Sequence, residues 1–137
     1  MRNPDLARDY VDRASVRVRA LDLYFDAESW ADVVREAQEI VELTLKALLR
    51  SCGVDPPRIH DVSDVLLEQE ERLPDAVRRD LDVLVDASRT LRRDRELAFY
   101  GAEDLTPSDF YSREDAAQAR ESARRVVEAV EPHVAHG

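Results

Sequence analysis

The chain has 137 residues, 44% apolar and 36% charged, which suits one folded domain with a core and excludes a disordered polymer. Its net charge of −10 excludes a surface that binds nucleic acid throughout, although not a local basic cleft. No run approaches the roughly eighteen apolar residues of a membrane span, the N-terminus lacks the apolar centre of a signal peptide, and Cys52 stands alone. These features predict a cytoplasmic protein with no membrane segment and no disulfide.

Three glycines and an abundance of Ala, Leu, Arg, Glu and Asp form a helical vocabulary. Asn3 or Asp5 can cap a first helix over 5–25, in which Leu6, Tyr10, Ala14, Val18, Leu21, Tyr24 and Phe25 recur at helical spacing. Asp26, Ala27 and Glu28 interrupt it, and Ser29 is the expected cap of a second helix over 29–52. That helix carries the broadest apolar stripe: Trp30, Val33, Val34, Ala37, Ile40, Val41, Leu45, Leu48 and Leu49. Ala37, Thr44 and Ala47 permit close approach of a neighbour, and Lys46 is expected to snorkel to solvent. Gly53 and Pro56-Pro57 stop the helix.

A short helix over 61–71 follows, with Val62, Val65, Leu66 and Leu73 inward and His60 just ahead of it. Pro74 and Asp75 open a fourth helix, whose stripe of Val77, Leu81, Leu84, Val85, Ser88, Leu91 and Leu97 leads to Gly101. Asp82, Asp86, Arg89 and Arg93 are spaced for ion pairs within it. Residues 102–112 read as a polar loop containing Pro107, Phe110 and Tyr111. Ser112, Glu114 and Asp115 start a last helix over 113–131, packed by Ala116, Ala119, Ala123, Val126, Val127 and Val130 and decorated by Arg120, Arg124 and Arg125. Pro132 ends it. The expectation is an all-α, single-domain antiparallel bundle of about five helices spanning 1–137.

Catalytic templates are mostly missing. There is no glycine-rich phosphate loop, HExxH, CxxC or nucleophile elbow, and His60, His133 and His136 have no partners at metal-ligand spacing. No metal and no cofactor are expected. The informative stretch is Thr90–Gly101, which crowds Arg92, Arg93, Asp94, Arg95 and Glu96 ahead of Leu97, Ala98, Phe99 and Tyr100. On a helix Arg93, Glu96, Leu97 and Tyr100 share one stripe. Arginine offers a planar fork for phosphate, and tyrosine a ring and a hydroxyl. By composition alone the same stretch reads as a salt-bridged surface helix.

The order of these elements resembles the HEPN family of small helical bundles. The run from Trp30 through Ala37-Gln38-Glu39-Ile40-Val41-Glu42 to Leu45-Lys46-Ala47-Leu48-Leu49 is similar to that family's signature helix, with Gly53, His60-Asp61-Val62 and Leu66-Leu67 following in place. Arg93-Asp94, Ala98 and Tyr100 are similar to its Arg-polar-x-x-x-His-x-Tyr motif, with Ala98 where the histidine belongs. Arg95, Ala98, Tyr100 and Gly101 resemble a branch that keeps Arg, Ala, Tyr and Gly. The resemblance implies Arg93, Arg95 and Tyr100 as catalytic or binding candidates and Tyr100 as an acceptor of an attached nucleotide. It also implies a homodimer whose fourth helices face each other, and a nucleotidyltransferase partner in a toxin–antitoxin pair. Without the histidine, general acid–base catalysis typically worth 10²–10⁴-fold is missing. A nucleotide-, RNA- or partner-binding module is therefore preferred. The alternatives are a metal-independent ribonuclease toxin using Arg93 and Arg95, and a bundle that only binds protein through its acidic face.

Overall fold

A computed structural model describes the backbone over residues 4–58, 62–100 and 106–134, and the side chains there apart from 4, 92–100 and 109. The described residues are helical with no strand. The elements are α1 (Pro4–Asp26), α2 (Trp30–Ser51), α3 (Ser63–Glu68), α4 (Asp75–Arg79), α5 (Leu81–Tyr100), α6 (Pro107–Phe110) and α7 (Arg113–Val130). Two 3₁₀ turns, Glu70–Arg72 and Glu131–His133, follow α3 and α7. None of these helices is long and apolar enough to cross a membrane.

The expected all-α bundle is present, and its long helices fall where the apolar spacing puts them. Asn3, His60, Asp61 and Gly101 lie outside the described residues. Two boundaries differ. The helix expected to run unbroken from Pro74 divides at Asp80, whose carbonyl accepts the first bond of α5 from the Leu84 amide. A short polar residue is favoured at such an N-cap, so the chain restarts a helix there rather than continuing one. The loop expected over 102–112 contains one helical turn, α6, with Pro107 at its first position, where the missing N–H costs nothing. It seats Tyr111 in the core at 5% exposure.

α2 lies at the centre, against α1, α5 and α7. Contacts along the helices fix their directions. Arg50 at the end of α2 lies over Tyr10 near the start of α1, while Phe25 and Trp30 meet at 5.0 Å where the two helices join, so α1 and α2 are antiparallel. Asp22 bonds Arg120 and Arg124, and Ser15 bonds Glu131, so α1 and α7 are antiparallel too. Hence α2 and α7 run parallel. α5 opposes both: Asp80 and Val83 share a cleft with Arg125 and Glu128, and Leu91 shares one with Val34 and Ala119. α3 is tied to α5, since the Val62 amide donates to Ser88 Oγ at 3.3 Å and Arg89 Nε to Ser63 Oγ at 3.1 Å. Arg89 also pairs with Asp64 of α3.

The core places Ile40, Leu45, Leu48 and Leu49 of α2 against Leu21, Leu66, Leu84 and Val126. Among the described residues, one charged group enters it. Glu36 is 6% exposed and accepts from Arg17 at 2.6 Å, while Arg17 also reaches Glu39 at 2.5 Å. Burial works against the Arg17 charge, but the Glu36 and Glu39 carboxylates outweigh it and hold the guanidinium above its ordinary pKa. Because the shift is upward, titration of the arginine removes this stabilisation only above that ordinary value, and it is fully present at neutral pH. Neutral-pH melts therefore leave this contribution unchanged.

Two helices end the same way with different residues. After α2 the Val54 amide bonds the Leu49 carbonyl and the Gly53 amide that of Arg50, with Gly53 at φ 80°. After α1 the Ser29 amide bonds Tyr24 and the Glu28 amide Phe25, with Glu28 at φ 59°. Both are Schellman turns, and the left-handed position suits glycine and strains glutamate. Glu28→Gly is expected to stabilise the protein by about 0.5–1 kcal/mol and Gly53→Ala to destabilise it by about 1 kcal/mol, read from urea unfolding midpoints. In the same assay Arg17→Ala is expected to cost about 2 kcal/mol. That is below the cost for a fully buried pair, because Arg35 stays 3.9 Å from Glu36.

Candidate functional site

The stretch singled out in the sequence is the last two and a half turns of α5, whose backbone is helical through Tyr100. The side chains of Arg93, Arg95, Ala98 and Tyr100 lie outside the described ones. The helical register nevertheless separates the positions. Asp82, Asp86 and Arg89 are exposed, and steps of four and seven carry that line to 93 and then 100. Leu84, Ser88 and Leu91 are buried, and the same steps carry their line to 95 and 98. Positions 93 and 100 thus fall on one line of the helix, and 95 and 98 on another.

Leu91 of α5 lines the same cleft as Val34, near the start of α2. From Leu91 to Tyr100 the helix backbone rises about 13 Å. The motif therefore occupies the end of the bundle at which α2 and α7 start and α1 stops.

Beside it, α5 and α7 enclose a cleft of about 390 Å³ floored by Val34 and Ala119. Asp86 and Thr90 form one wall and Gln118 and Ser122 the other. Phe110 stands 47% exposed at the rim, edge-on to Tyr111 at 4.8 Å. Asp115 also lines the cleft, but its carboxylate accepts from the Ser112 amide at 2.9 Å and its own amide donates to Ser112 Oγ at 3.2 Å. This capping box starts α7. The described lining offers hydrogen bonds and an apolar floor. It contains no nucleophile paired with a base, and no metal-binding cluster occurs among the described residues.

The sequence reading missed a cluster at the same end. Phe25 and Trp30 pack edge to face at an interplanar angle of 65°. Arg120 sits 3.8 Å from the centroid of Phe25, and Arg113 lies 5.2 Å from Phe25 and 5.9 Å from Trp30. Asp22 accepts from Arg120 at 3.0 Å and from Arg124 at 2.5 Å. Sequence spacing places Phe25 and Trp30 in apolar stripes and treats Arg120 and Arg124 as decoration of the last helix, and it singles out no role for Arg113. The overlooked signal was the recurrence of arginine at 113, 120 and 124, which is one face of a helix. Arg120→Ala is expected to cost about 1–2 kcal/mol, because it removes a cation from an aromatic face and leaves Asp22 with one partner. Thermal unfolding followed by circular dichroism measures it.

A sequence profile described as HEPN domain matches residues 7–133. Comparison with curated proteins and with solved structures returned no match.

Proposed function

The chain belongs to the HEPN domain family, and we propose that it is a homodimeric module binding RNA or a nucleotide through Arg93, Arg95 and Tyr100. Membership makes it a nucleotide- or RNA-related helical module, and HEPN domains commonly dimerise. In the finer reading, residues 1–137 form one domain paired with a nucleotidyltransferase in a toxin–antitoxin system, and Tyr100 is the acceptor for a nucleotide transferred by that partner.

The observation that carries this reading is the unbroken helical run of α5 through Tyr100, at the end of the bundle where α2 and α7 start. A continuous helix there holds positions 93, 95 and 100 in one fixed register for a second subunit or a ligand. On a chain of net charge −10, two copies meeting there would double the local density of arginine where phosphate needs it. Ala98 in the place of the motif histidine favours binding over cleavage, since neither arginine nor tyrosine is a good base near neutral pH.

Light scattering is expected to show a dimer. Fluorescence anisotropy is expected to show that it binds single-stranded RNA without cutting it, with affinity falling at least about tenfold in Arg93→Ala/Arg95→Ala. A monomer whose RNA affinity is unchanged in that variant would overturn the proposal. Cleavage that disappears in the variant would make the protein a metal-independent ribonuclease instead.

A further inference from the structure

Along α7, Arg113, Arg120 and Arg124 recur at steps of seven and four, so they form one line down the helix. The turn between α1 and α2 brings Phe25 and Trp30 to the head of that line. Asp22 is shared by Arg120 and Arg124, and Arg113 forms no ion pair among the described residues. Two of the three guanidinium groups thus share one carboxylate, on a chain whose overall charge is −10. Glu114 and Asp115 follow in the first turn of α7, with Asp115 held in the cap of that helix.

The members differ in how firmly they are held. Arg120 lies close over Phe25 and is bonded to Asp22, which makes it part of the clamp between α1 and α7. Arg113 is exposed, and half-buried Trp30 lies beneath it. A guanidinium beside two aromatic rings offers a cation and flat apolar faces on which a further ring can stack, and its charge suits the adjoining phosphate. Such platforms take unpaired bases, because the bases of a duplex are already stacked on one another. The antiparallel course of α5 puts its arginine-rich final turns at this same end of the bundle.

We propose that the corner formed by Arg113 and Trp30 is a second contact for single-stranded RNA, taking a base and phosphate from a strand held at α5. The proposal rests on the RNA-binding reading above and adds a site that the arginine–tyrosine motif does not include. Arg113 and the rings hold the base, and Arg120 and Arg124 supply the charge behind it.

Trp30 is the only tryptophan, so its emission reports on this corner alone, whereas anisotropy of a labelled strand reports binding anywhere on the protein. A short oligouridylate is titrated into the full chain with both readouts. The expected result is quenching of Trp30 over the same RNA concentrations that raise the anisotropy. Arg113→Ala is expected to weaken binding about tenfold, abolish most of the quenching and lower the slope of log affinity against log salt by about 0.7. Arg113→Lys is expected to keep the salt slope and lose the quenching, because it retains the charge without the plane. Since Arg113 is exposed, both variants should fold, and circular dichroism verifies it. Anisotropy that rises with unmoved Trp30 emission, or wild-type affinity in Arg113→Ala, overturns the second contact and leaves binding at α5 standing. Absence of any RNA binding by the wild type overturns both.

Discussion

A helix with neighbours on three sides has almost no solvent face, and α2 is in that position. Its apolar residues therefore extend well beyond the narrow stripe of a surface helix: Val33, Val34, Ala37, Ile40, Val41, Leu45, Ala47, Leu48 and Leu49 are all nearly fully buried. Everything else is arranged around that cylinder. α1 lies antiparallel on one side, α5 antiparallel on another, and α7 parallel between them. A carboxylate at Glu36 is tolerated inside this arrangement because Arg17 arrives from α1 with the matching charge. The pair also fixes how far α1 may slide along α2, which an oily contact alone leaves less sharply defined.

α2 and α5 begin at opposite ends of the bundle, each where the local chain chemistry dictates, α2 at Ser29 and α5 at Asp80. The antiparallel course of α5 therefore delivers its final turns to the end at which α2 starts. A helical bundle of this kind could accommodate many surface chemistries, and fold alone does not choose among them. The local choice is made by what stands at the exposed end: the arginine-rich turns of α5, the start of α7 and the aromatic join of α1 and α2.

Much of this was legible in the residues. The periodicity of α1, α2 and α7 placed each helix to within a few residues, because long amphipathic segments state their own period. The capping box at Ser112 and Asp115 and the turn at Gly53 were readable for the same reason: each is a local device with its own residue signature. The break at Asp80 was not, since an aspartate within an apolar-periodic run looks like one more solvent-facing residue. Nor was the turn at α6, where one proline among polar residues gives little periodicity. At the site, Arg93, Arg95 and Tyr100 stood out as a motif in a continuous stretch. The corner of Phe25, Trp30 and Arg113 did not, because its members are brought together only by the parallel packing of α2 and α7, and no local pattern encodes that.

The sequence separations of these contacts also bear on assembly. Arg17 and Glu36 are 19 residues apart, whereas Asp22 meets Arg120 and Arg124 across 98 and 102. Closing the longer loop costs about 1.5 kcal/mol more in chain entropy, and none of it is recovered until α7 has a surface to land on. By loop-closure entropy alone, the α1–α2 hairpin is the cheaper contact to form first, and the docking of α7 the costlier one. Phe25 and Trp30 can meet in the hairpin, but the arginines that turn them into a charged corner arrive only with α7. A half-assembled chain has the aromatic join without its cations.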